Sequence, residues 1–159
     1  MLLTIDTPEA MAELGARLAG QLRAGDLVTL NGELGAGKTT LTRGLGEALG
    51  VRGAVTSPTF VLARTHPRVD GPPLVHVDAY RLSSAVELDD LDIDFAASVV
   101  VVEWGEGLLD GITDEWLQLD IVRPVGGVVT DDGVEARTVT VTGHGARWAD
   151  LGWLAAPGA

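Results

Sequence analysis

Apolar residues in the first part of the chain recur at helical spacing. Met11, Leu14, Leu18 and Leu22 follow one another three or four residues apart, which places them on one face of an α-helix. Residues 7–9 (TPE) give this helix a start, because threonine caps a helix, proline fits its first position and glutamate suits its first turn. We therefore predict an amphipathic helix that begins after residue 7 and ends near Gly25.

Short apolar runs bounded by turn-forming residues predict β-strands along the rest of the chain. These strands are predicted at residues 27–30, 60–63, 74–77, 99–103, 116–122 and 136–141. Helices are predicted at residues 38–49, 85–91 and 147–156, and flexible loops at residues 66–73 and 126–133. Because strands alternate with helices, the predicted fold class is three-layer α/β, with a mixed and mostly parallel sheet flanked by helices.

The length of the chain suits one domain with one hydrophobic core. We assign the domain to residues 1–142 of the 159, and residues 143–159 to a C-terminal helix or tail that packs on it or trails it. The longest apolar runs fall far short of the roughly 20 residues needed to cross a bilayer. The first residues carry acidic Asp6 and Glu9 and no basic stretch, unlike an export signal. We therefore expect a cytoplasmic protein.

Charge and cysteine content exclude several kinds of function. The 23 acidic and 11 basic residues give a net charge of -12, which is the wrong sign for a protein that mainly neutralises nucleic-acid phosphates. Any contact with RNA is therefore expected to be indirect. The absence of cysteine excludes disulfides, thiolate zinc sites and a cysteine nucleophile. Ten of the basic residues are arginines, and Lys38 is the only lysine.

Lys38 belongs to a phosphate-binding motif. Residues 32–39 (GELGAGKT) fit G-x-x-x-x-G-K-[ST] at every fixed position and lie between a predicted strand and a predicted helix. Glycines let such a loop wrap its N–H groups around phosphate oxygens, the lysine holds the β- and γ-phosphates, and the threonine hydroxyl binds Mg²⁺. The fold is thus predicted to be of the P-loop NTPase type. The predicted nucleotide-binding residues are Glu33, Leu34, Gly35, Ala36, Gly37, Lys38, Thr39 and Thr40.

Two acidic residues stand where predicted strands end. Glu103 follows a run of four valines, and Asp78 follows residues 74–77 (LVHV). The carboxyl ends of strands are where open α/β sheets bind ligands, and a Mg²⁺–nucleotide site needs an acid there. We predict Glu103 as the metal acid, direct or through water, and Asp78 as the residue that orients either the attacking water or a metal-bound water. The alternative for either residue is an exposed carboxylate without a role.

Three further segments are weaker candidates. Residues 57–60 (SPTF), which include Thr59, suit either a loop that senses the γ-phosphate or a plain turn. His76 is either a packed histidine or a ligand. Arg81 is either a phosphate or interaction arginine, or an exposed cation.

Four segments taken together resemble one family, the TsaE family, formerly called YjeE. They are residues 32–44 (GELGAGKTTLTRG), 57–60 (SPTF), 76–82 (HVDAYRL) and 101–104 (VVEW). The resemblance in organisation covers about residues 1–142. It implies an ATPase that works with TsaD and TsaB and supports repeated threonylcarbamoyl transfer to adenosine 37 of tRNAs, without performing that transfer. Contact with tRNA would then run through these partners.

The resemblance also implies roles for individual residues. Lys38 and Thr39 would bind phosphate and Mg²⁺, Glu103 would lie on the magnesium side and Asp78 near the γ-phosphate. Tyr80, Arg81 and Trp104 match positions tied to the nucleotide site or the partner surface. The adenine would lie near Thr7, in residues 7–11, and near residues 121–123. The chain departs from the family at Glu33, which replaces the commoner aspartate, at residues 91–93, and by an insertion around residues 126–133.

Two other functions fit the same motif. A small-molecule kinase would use Lys38 and Thr39 with a bound alcohol as nucleophile, and Arg64 and Arg68 would then supply a lid. A nucleotide-gated adaptor would change its partner surface on ATP binding without needing turnover. A GTPase is disfavoured, because guanine is usually read by a motif that contains a second lysine.

Overall fold

The computed structural model describes residues 1–33, 35–51, 55, 63–68, 70–79, 87–88, 91–104, 109, 112–123 and 136–154. Within these ranges the chain forms seven β-strands and two α-helices, and ends in two 3₁₀ turns. The strands are β1 (Leu2–Ile5), β2 (Leu27–Asn31), β3 (Ala63–His66), β4 (Leu74–Asp78), β5 (Val99–Glu103), β6 (Trp116–Val122) and β7 (Arg137–His144). The helices are α1 (Pro8–Ala19) and α2 (Lys38–Leu49).

All seven strands join one mixed sheet in the order β1-β7-β6-β2-β5-β4-β3. The four central strands, β6, β2, β5 and β4, run parallel, and β7 and β3 are added antiparallel on either side of them. At one edge β1 pairs antiparallel with β7. The predicted fold class, a mixed and mostly parallel α/β sheet of the P-loop NTPase type, is confirmed.

Strands β2, β5 and β4 are buried on both faces, so β5 consists of four valines and Glu103 without a polar alternation, whereas β6 alternates between buried and half-buried residues. Val99 and Val101 face the layer that contains α1 and α2. Val100 and Val102 face a second cluster, which includes Leu88 and Leu109. The sheet therefore lies between two apolar layers.

The two helices pack against each other through glycine. A Cβ atom added to Gly44 of α2 would lie 2.1 Å from the carbonyl oxygen of Ala12 in α1, and one added to Gly15 would lie 2.1 Å from that of Leu41. Only residues without a side chain allow the helix backbones to approach this closely. This contact fixes α2, whose first residue is Lys38, against the sheet.

Several sequence predictions are confirmed in position. Helix α2 has the predicted bounds, β5 and β6 also match, and Thr7 caps α1 by accepting a hydrogen bond from the backbone N–H of Ala10. The predicted end of α1 near Gly25 is wrong, because regular helix stops at Ala19 and tighter bonds such as Leu22 N–H to the Ala19 carbonyl continue the chain. The strand predicted at 60–63 is described only from Ala63 and extends to His66, which is not in a loop. Residues 85–91 lie mostly outside the described part.

The C-terminal segment covers the core but is not an α-helix. Two separate 3₁₀ turns, at Ala146–Trp148 and Gly152–Leu154, replace the predicted helix, since the side chain of Asp150 accepts a hydrogen bond from the Gly152 N–H between them. Trp148 and Leu154 are nevertheless buried in the cluster around α1. Arg147 anchors the segment by contacts of 3.0 and 3.2 Å to the buried carboxylate of Asp26. Among the described residues, no helix combines the length and apolarity needed to span a membrane.

Candidate functional site

The predicted site residues gather where the parallel strands end. In β2, Leu30 pairs with Glu103 of β5, and Glu103 in turn pairs with Asp78 of β4. Since parallel strands end at the same edge of a sheet, the two acids lie side by side there. Gly32 and Glu33 follow β2 at this edge, and residues 35–37 lead into α2 along a stretch that borders the same space as the two acids.

The backbone of the loop needs its glycines. Gly35 and Gly37 have φ values of +82° and +116°, in the region that side chains disfavour. Gly32 has a different reason, because a Cβ atom there would lie 2.7 Å from the carbonyl oxygen of Ile121 in β6. The N–H of Ala36 donates to the carbonyl of Glu33 and closes a turn within the loop. Helix α2 then begins at Lys38, and its N-terminal residues share one cavity with Asp78 and Glu103.

Lys38 reaches back over its own loop. Its Nζ donates hydrogen bonds to the carbonyl oxygens of Gly32 and Glu33, at 2.5 and 3.1 Å, and lies 4.2 Å from the ring centre of Trp104. Burial lowers the pKa of Lys38, while the nearby carboxylates of Glu103 and Asp78 act in the opposite direction. The ammonium therefore stands where phosphate oxygens can replace carbonyl oxygens as its partners.

Glu103 is a buried acid with a histidine beside it. Only 4% of the residue is exposed, and its Oε2 lies 3.2 Å from Nε2 of the fully buried His76 in β4. Burying a carboxylate is costly unless polar groups compensate. The charge of the nearby Lys38 ammonium and the polar ring of His76 are the groups that the structure places beside this carboxylate.

Trp104 follows Glu103 in an unusual backbone conformation. Its φ of +63° lies in the left-handed region, which bulky residues rarely adopt. The N–H of Trp104 still donates to the carbonyl of Leu30, which continues the β5–β2 ladder by one bond. The turn after β5 thus brings the indole ring over the Lys38 ammonium.

A cavity of about 220 Å³ joins these groups, lined by Gly35, Gly37, Lys38, Thr39, Thr40, Asp78, Glu103 and Trp104. The Thr39 hydroxyl and the two carboxylates are oxygen donors of the kind that Mg²⁺ prefers. Mg²⁺ is usually held by one or two protein oxygens together with nucleotide phosphates, so this donor set fits a nucleotide-bound magnesium ion. All eight residues that line this cavity were predicted as site residues from the sequence, and the structure brings them together.

A second cavity of about 150 Å³ lies on the other side of the loop. It shares Gly35, Gly37 and Thr40 with the first cavity and is also lined by Ile5, Thr7, Pro8, Met11, Ala36 and Arg137. The predicted Thr7 is therefore next to the loop, as is Met11. Its mostly apolar wall and position beside the phosphate loop suit a flat base.

Sequence reasoning missed Arg137, whose Nε donates to the carbonyl oxygen of Ala36 at 3.3 Å. The approach depends on pairing, because β7 runs antiparallel to β6 and so begins at the edge where β6 ends. A single arginine at the start of a strand carries no local signal of this. Arg123 lies close to Gly35 from the end of β6, within the segment predicted to border the base.

Four other predicted residues, Leu34, Thr59, Tyr80 and Arg81, lie outside the residues that the structure describes.

Arg68, the suggested kinase lid, donates a hydrogen bond from Nε to the carbonyl of Leu49 at 2.8 Å. Leu49 ends α2, a 12-residue helix that begins at Lys38, so Arg68 is about 18 Å from the phosphate loop. This position argues against a lid role for Arg68.

Comparison with known proteins gives a consistent result. The family model described as "Threonylcarbamoyl adenosine biosynthesis protein TsaE" matches residues 5–125. A protein of Streptomyces coelicolor named "tRNA threonylcarbamoyladenosine biosynthesis protein TsaE" is 66% identical over 143 residues, which cover 87% of this chain and 94% of that protein. A Bacillus subtilis protein of the same name is 38% identical over 144 residues, covering 88% and 82%.

The fold agrees with a solved structure. A crystal structure of YdiB from Bacillus subtilis matches with a TM-score of 0.70 and 32% sequence identity, over 93% of this chain and 88% of that one. The residues of this chain that the family model matches run from the end of β1 to just beyond β6. They therefore contain the phosphate loop and both strand-end acids. The chain therefore belongs to the TsaE family of threonylcarbamoyladenosine biosynthesis proteins.

Proposed function

We propose that this protein is the cytoplasmic ATPase of the machinery that makes threonylcarbamoyladenosine at position 37 of tRNA. In this role it binds and hydrolyses Mg²⁺–ATP and acts with TsaD and TsaB to support repeated threonylcarbamoyl transfer. The names of its relatives support the pathway. The single observation that carries the ATPase assignment is the cavity where Lys38, Thr39, Asp78 and Glu103 meet.

The residues of the cavity divide the work of phosphoryl transfer. Lys38 exchanges the carbonyl oxygens of Gly32 and Glu33 for oxygens of the β- and γ-phosphates, and the loop N–H groups bind the same phosphates. Thr39 and Glu103 hold Mg²⁺, directly or through water. When bound, the ion neutralises charge that builds up on the phosphates. Asp78 orients the attacking water, and Thr7 borders the pocket for the base.

The charge of the protein supports a division of labour with its partners. A net charge of -12 opposes close binding to the RNA backbone. TsaD and TsaB therefore contact the tRNA in this proposal, and ATP binding and hydrolysis alter how this protein engages them. We expect the isolated chain to bind tRNA weakly at physiological salt, and a tight, salt-sensitive complex would contradict this.

The test is ATP hydrolysis with Mg²⁺ by the purified protein, alone and with TsaB and TsaD. Lys38→Ala should abolish turnover and Arg68→Ala should not, because Arg68 lies at the far end of α2. Slow turnover alone that rises with both partners supports the proposal. Unchanged turnover with nucleotide-dependent partner binding would favour an adaptor, and wild-type turnover in Lys38→Ala would overturn the site.

A further inference from the structure

We infer that His76 is a positioning residue for Glu103: the imidazole holds one carboxylate oxygen and leaves the other for the Mg²⁺ of bound nucleotide. The inference rests on the proposed function, which brings Mg²⁺ to Glu103. It adds a residue of β4 that lies too deep to touch the nucleotide, since none of its surface is exposed. His76 therefore acts through Glu103.

The contact that carries the inference joins two neighbouring central strands. Nε2 of His76 lies 3.2 Å from Oε2 of Glu103, and both side chains are buried. His76 pairs with Val101 in the parallel ladder. It therefore lies two residues before the Asp78–Glu103 pair, on the same face of the sheet. The pair is at contact distance without full hydrogen-bond alignment, and such pairs at functional sites commonly tighten when the ligand binds.

The chemistry of the two groups fixes which proton is needed. An ionised carboxylate only accepts hydrogen bonds, whereas a neutral imidazole carries one N–H and one lone pair. A hydrogen bond between the two side chains therefore needs a proton on Nε2 of His76, the nitrogen that faces Glu103. Both ring nitrogens are buried and neither has a hydrogen-bond partner of full geometry among the described residues. Glu103, whose Oε2 lies 3.2 Å from Nε2, is the polar group that the structure places against this ring.

Packing alone does not explain a histidine at this position. A buried nitrogen without a partner costs free energy that an aliphatic side chain of similar size would not. On the neighbouring strand β3, Arg64 is the register partner of His76 and His66 lies two residues further along. The carboxylate of Glu103, 3.2 Å from Nε2, is the partner that a histidine at this position can use.

The test compares His76→Gln with His76→Asn. The glutamine amide nitrogen takes roughly the place of Nε2, whereas the asparagine amide nitrogen takes roughly that of Nδ1. We expect His76→Asn to weaken the apparent affinity for Mg²⁺ in the ATP complex by about 10–100-fold, the usual effect of losing a group that orients a metal ligand. His76→Gln should recover most of it. ATP binding in EDTA should stay within about twofold of wild type in both variants.

Two outcomes overturn the inference. One is a wild-type affinity for Mg²⁺ in His76→Asn. The other is an equal loss of Mg²⁺ affinity in both variants at equal thermal stability, which would mean that the imidazole only fills space. If the variants do not fold, ¹⁵N-histidine spectra of the wild-type protein decide, because an Nδ1–H tautomer at His76 contradicts the inference. Absence of any Mg²⁺–ATP binding in the wild type would instead refute the proposed function, and the tautomer would still report on the pair.

Discussion

Replacing Gly44 by alanine tests whether the close contact between α1 and α2 holds the phosphate loop in place. The new Cβ would lie 2.1 Å from the carbonyl oxygen of Ala12 and 2.7 Å from its carbonyl carbon and Cα. These are backbone atoms in the middle of a helix, so they cannot move aside as a flexible side chain could. The helices would have to separate, and Lys38 sits at the end of the one that moves.

The expected magnitude is the difference of two effects. Overpacking of a well-packed interior costs about 1–3 kcal/mol, with the upper part of this range expected for a clash with backbone. Alanine favours a helix over glycine by about 1 kcal/mol. The net loss of stability is therefore about 1–2 kcal/mol, which lowers Tm by roughly 2–8 °C for a chain of this size.

Urea and thermal unfolding of Gly44→Ala and Gly20→Ala provide the assay. Gly20 is the matched control, because it follows α1 with a helical φ of −64° and its new Cβ would meet only the Arg17 carbonyl, at 3.4 Å. Gly20→Ala should be neutral or slightly stabilising, and Gly44→Ala should also bind ATP more weakly. If Gly44→Ala is as stable as Gly20→Ala, the interhelical contact does not constrain the fold as argued.

Other predictions address the site acid, a buried histidine and the C-terminal anchor. Thr39→Ala and Glu103→Ala should weaken Mg²⁺-dependent hydrolysis while ATP binding in EDTA persists, and wild-type rates would contradict the metal assignment. Burial, with His76 and Arg64 nearby, lowers the pKa of His66. As the pH falls, this histidine is therefore protonated in the unfolded chain before it is protonated in the folded chain, and the stability of the fold should decrease below pH 6.5. His66→Gln should flatten that dependence in pH-resolved urea titrations. Arg147→Ala should cost about 2 kcal/mol, less than for a fully buried pair because the arginine is partly exposed, whereas exposed Arg23→Ala should cost under about 0.5 kcal/mol.

The phosphate loop and its acids could be predicted because their signals are local. The motif occupies eight consecutive residues, and each acid directly follows its own apolar strand. Parallel pairing then makes strand ends neighbours without further information, which is why Asp78 and Glu103 meet in the structure. The bounds of helix α2 could be predicted equally well, because the phosphate-loop motif sets its start and Gly50, with a φ of +78°, ends it.

The elements that were missed depend on distant parts of the chain. Strand β1 has only four residues and is held through β7, as in the pairing of Leu3 with Val139. The C-terminal spacing of Trp148 and Leu154 suits a helix, yet two 3₁₀ turns bury both residues equally well. Arg137 reaches the loop only because β7 pairs antiparallel with β6 and so begins at the edge where β6 ends. In these cases the spacing of apolar residues predicts which residues are buried. It does not predict the contacts between distant segments that bury them.

The position of β5 has a consequence for motion. The strand lies between β2 and β4 and all five of its residues are buried, so its amide hydrogens should exchange with solvent only when the whole domain opens. Glu103 is the last residue of that strand, whereas residues 35–37, which precede Lys38, lie outside the strands and helices. In the proposed ATPase cycle, Glu103 therefore stays fixed in the sheet, and conformational change is expected in the residues around it, outside β5.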